Sequence, residues 1–417
     1  MSGGLVVHPT GNANVRAVLD GFCAHGLLGE FHTTVGCVPG NIFSRLSVFP
    51  GMSMLKRRGY SPEIASALKT HPWRELGRIF AQKAHLNGLV EHERGIFSVD
   101  KIYQSIDRYT RKALLQNGVF SFVYGYEDGI ESTFAEAKKM RIPCFYDLPI
   151  GYWRAMREYL SPEMKKNPDW NPTLGGFDDS DAKLRRKDNE LAMADVIYVA
   201  SSFTKKTLEL YPDKLVPIEV VPYGFPDVNR NRKYSSANGR KICALYVGGL
   251  SQRKGLSYMF DALEGLERYV ELTVVGLGNI DGTPVLKSKL QKCNYIPSLS
   301  HENVLSLMAQ SDVLLFPSLF EGFGLVVTEA MSQGTPVITT ERTCGPDIIE
   351  NGSDGWLVNA ADSDSIRERI EDIISHPEIL AKVGKSAMNT AAGRPWKVYS
   401  EAMAKSVEKH LKEWNLE

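Results

Sequence analysis

Short apolar runs rich in Val, Ile, Leu, Phe and Tyr alternate along this chain with longer stretches whose apolar positions recur every three or four residues. The runs that read as strands are "LVVHPT" (5–10), "VFSFVYGY" (119–126), "IPCFYDLP" (142–149), "ADVIYVAS" (194–201) and "IEVVPYG" (218–224). A second set comprises "ICALYVGG" (242–249), "LTVVGLG" (272–278), "NYIPSL" (294–299), "DVLLFPS" (312–318), "TPVITT" (335–340) and "GWLVNA" (355–360). Helical patterns separate nearly all of them, which predicts α/β architecture with parallel sheets covered on both faces. The rhythm breaks at "PDVNRNRKYSSANGRK" (226–241), a polar stretch without apolar periodicity. It reads as a linker between two α/β domains, residues 1–225 and 242–394. A last helical pattern from 395 carries an apolar stripe at Tyr399, Met403, Val407 and Leu411 that has to be buried.

Composition narrows the class. At roughly 100–200 residues per domain, 417 residues allow two or three domains. Lys plus Arg and Asp plus Glu each total 49, so net charge is zero. That argues against a bulk electrostatic grip on nucleic acid. No apolar run approaches the ~20 residues of a membrane helix, and the start "MSGGLVVHPTGNANVR" does not read as a secretory signal. The six cysteines are scattered without paired spacing, which fits reduced thiols in the cytoplasm. The nine histidines show no zinc-type spacing.

The densest candidate chemistry is "SLFEGFGLVVTEAMSQGTPVITT" (318–340). A buried strand ends at Ser318, "LFEGFG" turns into a helix, and Gly334 stops that helix. Glu321 then lies in the loop beyond the strand's carboxyl end, and Glu329 in the second helical turn. The unpaired amides of the helix start, from Phe323 to Val326, form an anion site. Gly322 and Gly324 allow close backbone approach. Two carboxylates flanking an anion site suit a ligand with hydroxyls on both sides of its phosphates, as in a nucleotide sugar. A capping carboxylate plus a buried helix glutamate is the plainer alternative. In "ALYVGGLSQRKGLSYMFDAL" (244–263), Arg253 and Lys254 stand at a second strand-to-helix turn, where they fit a diphosphate or a solvated loop equally well. "VVGLGNID" lacks the third glycine of a dinucleotide fingerprint, since Asp281 stands there.

The motifs "EGFGLVVTE", "VGGLSQRKG", "ELAMADVIYVASSF" (190–203), "VVPYGFPDV" (220–228) and "NGSDGWLVNAAD" (351–362) together resemble the retaining nucleotide-sugar glycosyltransferases of family 4. The resemblance is dense from Glu190 to about Asp362 and weaker before. It implies the GT-B fold: two doubly wound, Rossmann-like domains facing a cleft, with the C-terminal helix (395–417) crossing back to complete the first. It implies that Glu321 accepts hydrogen bonds from the donor sugar, that the amides of Phe323, Gly324, Leu325 and Val326 meet sugar and phosphate oxygens, and that Glu329 holds the ribose. Lys254, with Arg253, would stabilise the leaving diphosphate. The base would lie near Tyr295 and Ile296, and Gly11 would open a turn approaching the donor. Three positions depart from the pattern. Gly249 stands where the family often has Arg, Asn12 where the N-terminal turn has its second glycine, and Tyr126, followed by Glu127, where a histidine is frequent.

The resemblance further implies a UDP-sugar donor, GDP-sugar next, and a glycan, lipid-linked or small-molecule hydroxyl acceptor. No cofactor is implied. An epimerase or phosphorylase of the same fold, or a nucleotide-sugar-binding protein without chemistry, is the alternative. Acceptor candidates are "YEDG" (126–129), "DLPIGYW" (147–153) with Asp147 and Tyr152, and residues 162–181. Tyr152, Trp153 and Trp170 suit stacking on a flat group or buried packing. The basic "LKRRGY" (55–60) is a candidate for peripheral contact with an acidic membrane face, or a solvated turn. Asp179-Ser180-Asp181 reads as a metal-binding Asp-x-Asp, but it follows glycines and precedes a helix, where such residues cap. No metal is therefore expected. Transfer should persist in excess EDTA, and Asp179→Asn combined with Asp181→Asn should keep most activity. Activity lost to chelator and restored by Mn²⁺ would contradict this reading.

Overall fold

A computed structural model describes residues 3–48, 53–117 and 120–414. It contains two wholly parallel sheets. The first comprises β1 (Gly4–Val7), β2 (Leu28–Thr33), β3 (Leu68–Thr70), β4 (Val123–Tyr126), β5 (Cys144–Leu148), β6 (Val196–Val199) and β7 (Ile218–Val220), in the order β3-β2-β1-β4-β5-β6-β7. The second comprises β8 (Ile242–Val247), β9 (Val270–Val275), β10 (Asn294–Ile296), β11 (Val313–Phe316), β12 (Val337–Thr340) and β13 (Trp356–Val358), in the order β10-β9-β8-β11-β12-β13. Helices cover both faces, so the central strands β1, β4, β5, β6 and β11 are buried along their whole length and read as continuous apolar runs. Each sheet reverses its winding once, between β1 and β4 and between β8 and β11. At such a switch point two connecting loops diverge and leave a crevice at the carboxyl ends of the strands.

β2 and β3 add two strands to those expected. In β2, "LGEFHT" carries Gly29 and Glu30, and its first three residues are only half-buried. β3 is a three-residue edge strand. Of the expected strand 119–126, Val119 lies outside the described residues, and β4 begins at Val123.

The chain passes between domains at Tyr223–Phe225 and returns at Arg394–Trp396. The Phe225 N–H donates to the Arg394 carbonyl at 2.9 Å. Residues 226–241, the expected linker, lie along the second domain. Asn229 N–H donates to Ser332 O (2.9 Å), and the Tyr234 hydroxyl to Gly334 O (3.1 Å). The helix Trp396–Trp414 then crosses onto the first domain, as the stripe requires. Tyr399, Met403 and Val407 are buried and Leu411 packs at the margin of the same core. His25 and Glu408 meet at 3.0 Å, and His410 and Glu219 at 3.1 Å.

A second junction comes from the helix Trp153–Lys166 and the 3-10 turn Pro168–Thr173. Both belong in sequence to the first domain but dock on the second. Trp170 is buried and stacks on Phe260, with centroids 6.1 Å apart. Buried Glu163 accepts from the Tyr258 hydroxyl (2.8 Å) and from Gln252 Nε2 (3.1 Å). The Gln252 amide donates to Thr173 Oγ1 at 2.9 Å.

The helix Ala13–Ala24 meets the returning helix so closely at Gly21 that a Cβ there would overlap the Ser400 carbonyl. In an unconstrained helix interior, Gly→Ala gains roughly 0.5–1 kcal/mol. Here overpacking should cost about 1–3 kcal/mol and outweigh that gain. Gly21→Ala is therefore expected to lower the thermal midpoint by a few degrees. A raised midpoint in a melting experiment would show that the helices do not cross this tightly.

Candidate active site

The site is assembled where β8 and β11 diverge. Beyond β8 the 3-10 turn Gln252–Lys254 is capped by the Ser251 hydroxyl, which accepts from the Arg253 amide at 3.3 Å. Gly255 follows at φ +72°, and a Cβ there would overlap the Pro317 carbonyl. Only glycine permits both, and the turn is thereby drawn against the end of β11. The Leu319 N–H closes the join by donating to the Arg253 carbonyl at 2.9 Å.

This join brings three charged side chains together. Lys254 Nζ contacts Glu321 Oε2, and Arg253 Nη1 lies 3.6 Å from the same oxygen. Arg253 also donates to the Phe320 carbonyl at 2.7 Å. Lys254 and Glu321 are only 12% and 13% exposed, so the charges interact with little solvent screening. Burial, then Arg253, pushes the Lys254 ammonium down to about 6. The Glu321 carboxylate beside it favours the charged form. One carboxylate thus meets two basic side chains in a desolvated corner.

Gly324, at φ +92°, caps the helix Leu325–Ser332. The Leu325 and Val326 amides lie in its first turn, and the Val327 N–H is already taken by the Gly324 carbonyl at 2.9 Å. The Phe323 side chain is turned into the core, 4.9 Å from the Tyr223 ring. Gly322 corrects an expectation. The close approach it permits is to the first domain, because a Cβ there would overlap the Pro149 carbonyl. Its own carbonyl accepts from the hydroxyls of Ser201 (2.5 Å) and Thr204 (2.8 Å). Glu329 lies on the same helix with His301 Nδ1 at 3.7 Å. Burial raises its carboxyl, and His301 opposes the rise. Tyr295 and Ile296 close β10 half-buried, with the Tyr295 hydroxyl donating to Gly276 O at 3.1 Å. Nothing lies within 4 Å of a Cβ placed on Gly249.

The first-domain candidates divide. Gly11 follows β1 and packs beneath the Tyr60 ring, and Asn12 is exposed at the start of Ala13–Ala24. Tyr126 is buried edge-on to His8, with centroids 4.7 Å apart, and its hydroxyl has no hydrogen-bond partner among the described residues. Burial, then Arg58, lowers His8 to about 3, so the ring is neutral. Burial lifts Glu127 to about 7 against the opposing pull of Lys187, 3.6 Å away.

Asp147 and Tyr152 are core residues, not cleft residues. Asp147 is buried and accepts from the Tyr124 hydroxyl at 2.7 Å, and its burial lifts the carboxyl to about 7. Tyr152 is buried and donates to Asp188 at 2.7 Å. Trp153 spends its indole N–H on the same carboxylate, and Trp170 is packed against Phe260. Ser180 caps the helix Asp181–Met193, while Asp179 pairs with Lys183 (2.9 Å), Lys187 (3.5 Å) and His92 (3.0 Å). His92, Glu93 and Asp179 are near enough to share an ion, and Asp179 shares Lys183 and Lys187 with Asp100, Asp128 and Glu127. Sequence reading assigned no role to Ser201, Thr204 or His301, and the grip of Ser201 and Thr204 on Gly322 exists only in three dimensions.

Residues 227–390 match the family described as Glycosyl transferases group 1. The MMP alpha-(1->4)-mannosyltransferase of Mycolicibacterium hassiacum is 30% identical over 168 residues, 36% of this chain and 41% of that protein. An uncharacterized glycosyltransferase of Methanocaldococcus jannaschii, MJ1178, is 26% identical over 219 residues, 50% of this chain and 60% of the relative. The chain thus spans less than two thirds of the length of these curated relatives. Solved structures align over nearly all of it. Sucrose-phosphate synthase from Thermosynechococcus elongatus aligns with TM-score 0.66 at 15% identity, covering 99% of this chain and 100% of that one. The Anabaena protein Alr3699/HepE in complex with UDP aligns with TM-score 0.63 at 15% identity, covering 98% and 100%. The fold is therefore GT-B, and its second domain carries the group 1 glycosyl transferase pattern.

With a verified donor, Glu329→Ala is expected mainly to raise KM, and Glu321→Gln mainly to lower kcat. Lys254→Ala should lose about 2–4 kcal/mol of transition-state stabilisation, on the scale of one strong electrostatic donor. Gly249→Arg has open space for its side chain and should tighten nucleotide binding. Wild-type steady-state kinetics in all of these would mean that the charged corner is structural.

Proposed function

We propose that this protein is a retaining glycosyltransferase, moving a hexosyl group from a nucleoside-diphosphate sugar to a hydroxyl acceptor. UDP-sugar is the favoured donor and GDP-sugar the next. The observation that carries the proposal is the convergence of Lys254 and Arg253 on Glu321, beside the start of the Glu329-bearing helix. The UDP complex of the structurally similar Anabaena protein supports a nucleotide in this crevice, and the mannosyltransferase relative supports hexosyl transfer.

In this reading the donor diphosphate takes over Lys254 and Arg253, freeing Glu321 to accept hydrogen bonds from the sugar hydroxyls. The leaving β-phosphate oxygen gains charge as the C1–O bond breaks. The buried cations stabilise it most at that point, which is where binding energy becomes rate. The acceptor oxygen forms its bond to C1 on the face the phosphate leaves, and its proton passes to the departing phosphate oxygen. No separate base is needed, and the two cations supply charge compensation that a metal would otherwise provide. The first domain, through residue 225 and completed by the helix Trp396–Trp414, presents the acceptor, with Asn12 and Glu127 near its β1/β4 crevice. Free cysteines, six among the described residues, support a reducing compartment such as the cytoplasm.

The test is a thermal-shift screen with UDP, GDP and ADP, followed by NMR of the anomeric proton of the product from the stabilising sugar nucleotide. Stabilisation by UDP and a product of unchanged anomeric configuration are expected. Stabilisation without transfer would make this a binding protein, an inverted product would refute retention, and indifference to every nucleotide would refute the site.

A further inference from the structure

The helix Trp73–Lys83 is turned inside out relative to an ordinary surface helix. Its buried positions include Glu75, held by Arg58 at 2.5 Å and Arg78 at 2.7 Å. Three of its outward positions are large and apolar instead: Trp73 and Phe80 are each 66% exposed, with exposed Leu76 between them. The chain that follows continues the surface with exposed Leu86, Ile96 and Val99. Between Trp73, Phe80, Phe97 and Tyr109 runs a groove of about 720 Å³, floored by His71, whose ring stacks on Tyr109 at 4.1 Å.

Two further observations say what covers this face. The first is charge. The inverted helix itself carries Arg74, Arg78 and Lys83 against the single acid Glu75, in a chain whose net charge is zero. Outward Trp, Leu and Phe flanked by Arg and Lys is the composition of helices that lie in a bilayer interface. There the rings enter the headgroup boundary and the cations meet lipid phosphates. The second is position. The helix follows β3, and the His71 N–H donates to the Thr33 carbonyl at the end of β2 at 2.9 Å. The face therefore continues the carboxyl edge of the first sheet that also carries Gly11.

We propose that this face docks the protein on an anionic lipid bilayer. Trp73 and Phe80 enter the interface, Leu76 lies between them, and Arg74 reaches the phosphates. The basic run 55–60 is not the contact surface, because Leu55 and Tyr60 are buried and Arg58 is committed inward to Glu75. If the first domain holds the acceptor, as in the function proposed above, docking turns the acceptor side of the crevice toward lipid.

Flotation of the full chain with vesicles tests this without donor or acceptor, so its outcome is independent of the proposed transfer reaction. The chain should float with phosphatidylglycerol-containing vesicles, less so as salt rises, and not with pure phosphatidylcholine. Trp73→Ala with Phe80→Ala should weaken partitioning roughly tenfold or more while leaving the melting temperature unchanged. Failure to float with anionic vesicles, equal floating with both vesicle types, or unchanged floating of the double variant would overturn the proposal. Sedimentation velocity decides the remaining occupant: a wild-type dimer that the double variant converts to monomer would assign the face to a second copy of this chain.

Discussion

Two short loops, one from each domain, touch at a point with no room for a side chain. The Gly322 backbone lies against Pro149 and Ile150, and its carbonyl is gripped by Ser201 and Thr204. This contact fixes where the loop after β11 stands relative to the first domain. Glu321 on one side of Gly322 and the helix start on the other inherit their positions from it. The glycine that looked like space for a ligand is space for the other domain. Buried hydrogen bonds to a backbone carbonyl are costly to leave unmade, so a loop that carries charged chemistry is held as firmly as a core strand.

The charged corner follows the same logic. Arg253 and Lys254 are not long side chains waving in a cleft. Their turn is clamped by Gly255 against the end of β11, and the Arg253 guanidinium is spent on the Phe320 carbonyl as well as on Glu321. Charges fixed before a reaction begins need little reorganisation during it. The burial that weakens the Lys254 ammonium also strengthens any charge it carries, and Glu321 is the neighbour that favours the charged form.

The second domain was the more legible half of the sequence. Its strands are apolar runs bracketed by Gly, Pro or Asn, and Glu321 and Lys254 could be placed at strand ends because the ends were marked. In the first domain, β2 was hidden by Gly29 and Glu30, and β3 by its three-residue length. Asp147 and Tyr152 looked available because they stand in a loop-like stretch, but which face of a strand or helix a residue occupies is settled by what packs against it. Tyr124 and Asp188 settle it here. The helix Trp73–Lys83 shows the same limit from the other side. An apolar stripe in sequence reads as a core face, and only the burial of Glu75 beneath Arg58 and Arg78 reveals that the stripe points outward.

The two crossings of chain between the domains run side by side, one hydrogen bond apart, at Phe225 and Arg394. Tyr223, Trp396 and Tyr399 pack around them, with ring centroids 5.3–6.0 Å apart. Kinematically, a pair of adjacent connections is a single pivot, and any rotation of one domain against the other must turn about it. Displacement in a rotation grows with distance from its axis. Phe323 touches the pivot through Tyr223, so the Glu321–Gly324 corner travels least, while remote edges such as the helix Trp73–Lys83 sweep the longest arc. A swing of the outer surfaces would have to undo the Gly322 clasp and the docking of Trp153–Thr173 on the second domain, so those contacts, more than the pivot, set how far the domains can turn.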